Sequence, residues 1–223
     1  MQEFPRCVLK HAGLFVILRV AIFLEIGVTL KEDYFLVYFD QYCEPGQPWD
    51  DTHPCGLMVY NQDLSGGRNR LRIAGHSDLA LDAQGHEALV FQDIDTDYIS
   101  MLDLVSSTVT PLRPIDFTFT SIGLHISGQA YGRPGWVVVS THDGDTASHT
   151  WMDDQVLLIE LKAGGRVVRL AHPHSLVDET QEHDYWAEPQ ASANHDLTRI
   201  LFTSNLGSFG NRPGRDVYDP TAR

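Results

Sequence analysis

The sequence predicts an all-β protein built from repeated units of four short antiparallel strands. Three observations lead to this prediction. Helical periodicity is absent after residue 31, apolar segments rich in β-branched and aromatic residues recur, and turn residues such as Gly, Asn and Asp separate them. The units recur about every 45–60 residues, as expected for the blades of a β-propeller. We therefore predict a propeller of about four blades, or part of a larger ring.

The stretch 183–204, HDYWAEPQASANHDLTRILFTS, contains the pattern in its clearest form. A polar loop leads into a short strand, the turn at residues 194–197 reverses the chain, and residues 199–203 form an apolar strand. Residues 76–91 (HSDLALDAQGHEALVF) and residues 125–140 (HISGQAYGRPGWVVVS) repeat this order. The first half of each unit is therefore a strand, a turn and a second strand.

Each complete repeat contains four predicted strands. The predicted strands are 76–83, 87–92, 98–104 and 109–112 in one repeat, and 125–130, 136–141, 155–161 and 167–170 in the next. Three further strands resemble the end of an earlier copy, at 34–40, 56–63 and 69–73. The last copy ends at 216–218. The predicted blades are 31–75, 76–124, 125–187 and 188–223.

Residues 1–30 form an apolar N-terminal segment with two interpretations. The run 13–30 is dense in Val, Ile, Leu and Phe, which suits a core or cap strand, but basic residues precede it as in a signal or anchor. Arg19 and Glu25 interrupt the run, whereas a bilayer span needs about 20 apolar residues. No small-residue cleavage site follows. We expect membrane contact only if 13–30 is an anchor.

Composition and motifs exclude several classes of function. The formal net charge of −14 argues against a nucleic-acid partner, because phosphates would be repelled. An anionic ligand would need a bridging cation. No phosphate-binding glycine loop and no G-x-S-x-G motif occurs, so we expect neither a nucleotide cofactor nor a serine nucleophile.

The three cysteines leave the compartment open. They show no CxxC metal spacing. Cys43 and Cys55 can bridge a 12-residue loop in an oxidising compartment, leaving Cys7 over. Two free thiols are the simpler interpretation. Localisation is therefore open between periplasmic or secreted and cytoplasmic.

A candidate metal site follows from aligning the repeats. His76, His125 and Glu188 take one equivalent position, with offsets of 49 and 63 residues. The first strand of each propeller blade lines the central channel, so these side chains are expected to converge at its mouth. Two imidazoles and a carboxylate are a sufficient ligand set for a divalent ion such as Mn, Zn or Ca. The alternative is polar residues that only hold ordered water.

Other residues are candidates for catalysis and substrate binding. His172 and His174 can face the same side of an extended segment, where they would act as ligands or acid–base groups. His149 and Trp151, in the insertion 141–154, can form a sugar-stacking wall. Arg133 can neutralise an anion. The alternatives are solvated polar loops, with Trp151 anchoring its own loop to the blade.

The segments DAQGHEALVF, VTPL and EPQAS…DLTRILFTSN…DVY resemble the Tol-type β-propeller repeat of bacteria, which is also seen in oligogalacturonate lyases. The resemblance covers about residues 34–219. It implies blades and, through the lyases, a metal held by histidines and a Gln that binds a sugar carboxylate. Gln190, two residues after Glu188 and expected on the same strand face, is the amide counterpart here. The family's repeat has Asp-Gly in the turn, whereas this chain has Gln-Gly in one blade and Asp-Leu in the last. The family's full ligand motif is not matched.

The predicted function is a propeller domain that binds a ligand, with a divalent metal and an acidic oligosaccharide at the channel mouth. One alternative is a metal-dependent oligouronate lyase or hydrolase, and another is a non-catalytic interaction scaffold. Propellers of this type usually have more blades than the three clear copies and the partial fourth seen here. An incomplete ring would expose sheet edges and favour a homo-oligomer.

Overall fold

The computed structural model describes residues 8–11, 14–17, 24–28, 34–39, 42–44, 46, 53–73, 75–115, 122–143, 150–175, 187–205 and 216–218. These residues form an all-β protein and contain no α-helix. Within them, no helix is long and apolar enough to cross a membrane.

The strands form antiparallel sheets, and within each sheet the strands lie side by side in sequence order. A hairpin joins β1 (Val8–His11) and β2 (Leu14–Ile17). Sheet 1 consists of β3 (Leu24–Val28), β4 (Tyr34–Phe39), β5 (Leu57–Asn61) and β6 (Arg68–Leu71). Sheet 2 consists of β7 (Ser77–Leu81), β8 (Glu87–Asp93), β9 (Tyr98–Asp103) and β10 (Val109–Pro114). Sheet 3 consists of β11 (Ile122–Ser127), β12 (Trp136–Asp143), β13 (Val156–Glu160) and β14 (Val167–Ala171). Sheet 4 consists of β15 (Ser192–Ala193), β16 (Ile200–Ser204) and β17 (Asp216–Tyr218).

The predicted four-stranded antiparallel units are confirmed in sheets 1, 2 and 3. The sequence predicted β3 only as part of an N-terminal cap or anchor. In the structure β3 pairs with β4 along its whole length and is therefore a strand of sheet 1. Sheet 4 has three strands in the described residues.

The chain divides into two compact units, Met1–Arg72 and Ile73–Arg223. The first unit contains a disulfide between Cys43 and Cys55, whose Cα atoms are 5.0 Å apart. The prediction that Cys43 and Cys55 are free thiols is therefore wrong. The side-chain amide of Asn69 donates to the backbone carbonyl of Cys55 at 2.9 Å and lies 3.1 Å from the Cys43 sulfur. The strand β6 thus holds both half-cystines in place.

In the second unit, sheet 3 packs between sheets 2 and 4. Successive side chains of a strand point to opposite faces, so an unbroken apolar run can bury both. One face packs on sheet 2 through Leu124, Val137, Val139, Leu157 and Ile159, and the other face packs on sheet 4 through Val138 and Val156. The continuous apolar sequence of β12 is explained by this double burial.

The first strands of sheets 2, 3 and 4 lie beside one another. The carboxylate of Asp78 accepts a hydrogen bond from the backbone N–H of Gly128 at 2.9 Å. In the next sheet, Ser127 occupies the position equivalent to Asp78, and its hydroxyl accepts from the backbone N–H of Ala193 at 3.3 Å. Gly128 permits this approach, since a Cβ atom there would lie 2.1 Å from the carbonyl oxygen of Leu79.

Candidate metal centre

His125 and Glu188 come together where sheet 3 faces sheet 4. The Nε2 atom of His125 is hydrogen-bonded to Oε2 of Glu188, and both side chains are mostly buried. His125 lies on β11, while Glu188 lies in the segment before β15. Two ligand candidates that are 63 residues apart in sequence therefore share one site.

His142 on β12 is the third member of the cluster. Gly123 pairs with His142 and His125 pairs with Ser140, so both histidines project from the same face of sheet 3. The Nε2 atom of His142 is 3.9 Å from Oε1 of Glu188. One ligand atom from each of the three residues lies within 4.8 Å of the others.

His76 lies beside this cluster without being a member of it. Its ring contacts the ring of His125 edge to face, with centroids 4.9 Å apart, and the residue is exposed. Repeat equivalence therefore predicted a neighbour of the cluster, while the third nitrogen or oxygen donor comes from the second strand of the same sheet.

The imidazole of His142 is buried and makes no hydrogen bond to the residues that the structure describes. Its side chain is 6% exposed, its Nδ1 atom has no partner, and 3.9 Å to Glu188 is too long for a hydrogen bond at Nε2. Burial lowers the pKa of His142, although the carboxylate of Glu188 acts in the opposite direction. The ring is therefore neutral at neutral pH and keeps a lone pair for a metal. A buried polar group left unpaired costs about 1–3 kcal/mol.

Gly123 makes room for this imidazole. A Cβ atom at position 123 would lie 2.0 Å from Nε2 of His142, well inside van der Waals contact. The ring therefore lies directly over the glycine backbone. No other residue type at this position would leave the His142 ring where it is.

Hydrogen bonds to β16 and β12 hold the segment that contains Glu188. The hydroxyl of Thr203 donates to the carbonyl oxygen of Glu188, and the N–H of Thr203 donates to the carbonyl of Pro189 at 2.8 Å. On the other side, the N–H of Ala191 donates to the hydroxyl of Ser140 at 2.9 Å. Ser140 is paired with His125 across the ladder, so the same part of sheet 3 positions both ligands.

Gln190 does not share a strand with Glu188 as the sequence predicted. β15 begins only at Ser192, and Gln190 has a left-handed backbone with φ of 41°. The alternation of side chains along a strand therefore does not apply to this pair. Gln190 is half-buried beside the ligand segment.

His172 and His174 form a second cluster with Asp154. The two ring centroids are 4.3 Å apart, and Nδ1 of His172 is 3.1 Å from Oδ2 of Asp154. Burial raises the pKa of Asp154, and the nearby His172 opposes this rise. The hydroxyl of Ser204, next to Thr203 on β16, donates to the carbonyl of Pro173. The segment with these histidines is therefore attached to the strand that holds Glu188.

The predicted substrate-binding residues lie apart from one another. Trp151 is 49% exposed, in the turn between β12 and β13. Arg133 is exposed in the turn between β11 and β12, at the opposite end of that hairpin from His142. His149 lies outside the described residues. The structure therefore separates Arg133 from the metal cluster.

No protein-family model matches the chain, and no curated protein sequence matches it. The resemblance to Tol-type repeats therefore rests on the quoted motifs alone.

His142 and Asp154 are the site residues that sequence comparison missed. Comparing the first strands of the repeats aligns positions such as 76, 125 and 188, and it leaves the second strands out. The sequence could have pointed to His142, because a hairpin that turns at YGRPGW pairs the region of residue 125 with the region of residue 140. His142 then follows two residues later on the same face.

Proposed function

We propose that the second unit is a propeller-type domain that binds a divalent metal ion through His125, His142 and Glu188. The observation that supports this most is the convergence within 4.8 Å of two imidazoles from β11 and β12 and a carboxylate from the segment before β15. The buried imidazole of His142 supports it further, because an ion bound between its Nε2 atom and Oε1 of Glu188, which are 3.9 Å apart, would give that nitrogen a partner.

The donor set favours particular ions. Two nitrogen donors and one carboxylate match the three protein ligands that zinc sites with an open position use. Mn²⁺ accepts the same ligands, whereas Ca²⁺ takes oxygen ligands almost exclusively. We therefore expect Zn²⁺ or Mn²⁺ with an open coordination position, and weak binding of Ca²⁺.

The proposed ligand of the bound ion is the carboxylate of an acidic oligosaccharide. A chain with a formal net charge of −14 repels anions unless a cation compensates locally. A metal held by two neutral imidazoles and one carboxylate keeps a net positive charge and an open position. The metal would therefore attract and orient a sugar carboxylate.

The propeller arrangement is supported by the packing of sheets 2, 3 and 4. Sheet 3 is buried on both faces, and the first strands β7, β11 and β15 are adjacent. This is how blades stack around a channel. The candidate ligands His125 and His142 lie on sheet 3, and Glu188 precedes the first strand of sheet 4.

A second candidate function is a metal-assisted lyase or hydrolase. Asp154 contacts Nδ1 of His172, whose side chain is 49% exposed, and the other ring nitrogen, Nε2, would act as the base. A metal-bound carboxylate makes the adjacent C–H proton more acidic, and such a base could then remove it. A non-catalytic interaction scaffold is the interpretation that remains if no metal binds.

The disulfide supports an oxidising compartment for the protein. Disulfides persist in secreted, periplasmic and surface proteins and are rare in the cytosol of mesophiles. Of the two localisations that the sequence left open, we therefore propose the periplasmic or secreted one.

Metal content tests the proposal directly. We expect close to one equivalent of Zn or Mn by elemental mass spectrometry, in protein purified without chelator or nickel resin and after reloading. His142→Ala, His125→Ala and Glu188→Gln should each weaken binding at least about tenfold, since even outer-shell changes cost about 10–100-fold.

His86→Ala is the matched control, because His86 is a 62% exposed histidine in the turn between β7 and β8. It should bind metal like the parent protein. Circular dichroism and thermal melts must show that each variant is folded. Absence of metal from the reloaded parent, or equal binding by His86→Ala and His142→Ala, would contradict the proposal.

A further inference from the structure

Trp151 and Arg169 form an exposed aromatic and cationic pair. The guanidinium of Arg169 lies 5.1 Å from the centre of the indole ring, and its Nη2 atom donates to the backbone carbonyl of Trp151 at 3.3 Å. Arg169 is on the edge strand β14, and both residues are exposed. The pair therefore presents a ring surface and a cation to solvent together.

Arg169 has no acidic partner within the part of the chain that the structure describes. A second stack in the same sheet provides the contrast, because Arg166 lies 5.0 Å from the ring of Trp136 and also binds Glu160 at 3.2 Å. In a chain with 30 acidic and 16 basic residues, a guanidinium without a carboxylate is the less expected arrangement. Apart from the bond to Trp151, its N–H groups make no hydrogen bond to the described residues, and they could donate to an anionic ligand.

Hydrogen bonds and a buried methionine anchor the turn that contains Trp151. Its neighbour Met152 is buried at 2% exposure, and the hydroxyl of Thr141 donates to the Met152 carbonyl. The hydroxyl of Thr150 donates to the carboxylate of Asp153 at 2.8 Å. An exposed aromatic side chain on a fixed turn loses little conformational entropy when a ligand stacks on it.

The same two segments are joined a second time near His172. Asp154 accepts from the backbone N–H of Ser175 at 3.3 Å and contacts His172. The turn that contains Trp151 and Asp154 therefore contacts the other segment at Arg169, His172 and Ser175. Two exposed histidines, His172 and His174, follow Arg169 in the sequence.

We infer that Trp151 and Arg169 form a carbohydrate subsite separate from the metal cluster, in which the guanidinium binds a sugar carboxylate and the indole stacks on the pyranose ring. Bidentate pairing of a guanidinium with a carboxylate provides strength and orientation. The inference takes its ligand class, an acidic oligosaccharide, from the proposed function. It does not depend on a bound metal.

Isothermal titration of the full chain with tetragalacturonate tests this subsite, once with added Mn²⁺ and once after chelator treatment. Arg169→Gln should weaken binding at least about tenfold, the loss expected for a charge-assisted pair. Trp151→Ala should weaken it about fivefold or more, since stacking on an aromatic ring contributes strongly. Both losses should persist in the chelated protein.

Arg166→Gln is the matched control, since it changes an arginine that is stacked on Trp136 and already paired with Glu160. It should bind like the parent. The fully methyl-esterified tetragalacturonate should bind weakly to all forms, because it keeps the sugar ring and lacks the charge.

The outcomes separate this inference from the metal proposal. Protein that takes up no metal on reloading but binds tetragalacturonate through Arg169 would support the subsite and contradict the metal centre. A metal-loaded protein whose sugar binding is unchanged in both Arg169→Gln and Trp151→Ala would overturn the subsite alone. Equal binding of tetraglutamate would overturn the assignment to a sugar.

Discussion

Gly123 and His142 face one another across β11 and β12, and the pair determines the geometry of the candidate metal centre. A glycine is needed because the imidazole lies where any side chain would project. The buried ring is then held in place by packing, since its Nδ1 atom has no hydrogen-bond partner among the described residues. Gly123, which has no side chain to bind a metal, therefore controls the position of the candidate metal ligand His142.

Gly123→Ala should displace the His142 ring without removing any metal ligand. We expect metal affinity to fall about tenfold, as for other changes around the ligands. Competition with a chromophoric chelator measures the affinity, and His142→Ala gives the lower limit. Unchanged affinity in a folded Gly123→Ala variant would contradict the described geometry.

Strands of neighbouring sheets are joined by side chains near the start of each sheet. Asp78 on β7 accepts backbone N–H groups from Gly128 and from Leu79, both at 2.9 Å. Burial raises the pKa of Asp78 above its ordinary value of 3.8, even though both hydrogen bonds act to lower it. The charged carboxylate is therefore less favourable in the folded protein than in the unfolded chain.

The pH dependence of stability should reveal this group. A carboxyl group with a raised pKa in the folded state binds its proton more tightly there, so stability falls as pH rises through the window from 3.8 to the raised value. Urea unfolding from about pH 4 to about pH 7 should show the parent losing stability relative to Asp78→Asn. Parallel curves would contradict this.

Asp78→Ala should lower the free energy of unfolding by about 1–3 kcal/mol because two N–H groups lose their acceptor.

At the scale of the whole molecule, different interactions stabilise the two compact units. The Met1–Arg72 unit contains the disulfide, while the Ile73–Arg223 unit buries both faces of sheet 3. A small β unit has limited apolar surface to bury, and a cross-link compensates by restricting the unfolded chain.

Alkylation of the denatured protein without reductant should leave Cys43 and Cys55 unmodified, and prior reduction should expose both. Replacing both with Ser should lower the free energy of unfolding by about 2–4 kcal/mol, the usual effect of a disulfide. Peptide mass mapping and urea unfolding measure the two effects. Modification of both thiols before reduction would show that the bond is absent.

Much of the strand pattern could be predicted from the sequence because its determinants are local. Alternation, β-branched runs and turn residues predicted β8 and β9 to within a residue or two at each end. The same logic failed at Glu188, where a left-handed Gln190 and a late start of β15 replace the expected strand. It also left β3 unassigned, since its apolar residues suit an anchor as well as a strand.

By itself the sequence determined the all-β class, the antiparallel four-stranded units and the pairing of His125 with Glu188 as candidate ligands. Only the tertiary structure decided that His142 joins them, that Asp154 orients His172 and that Cys43 bonds to Cys55. The reason is physical. Strand formation depends on neighbours in sequence, whereas these contacts depend on cross-strand register and on the packing of one sheet against the next.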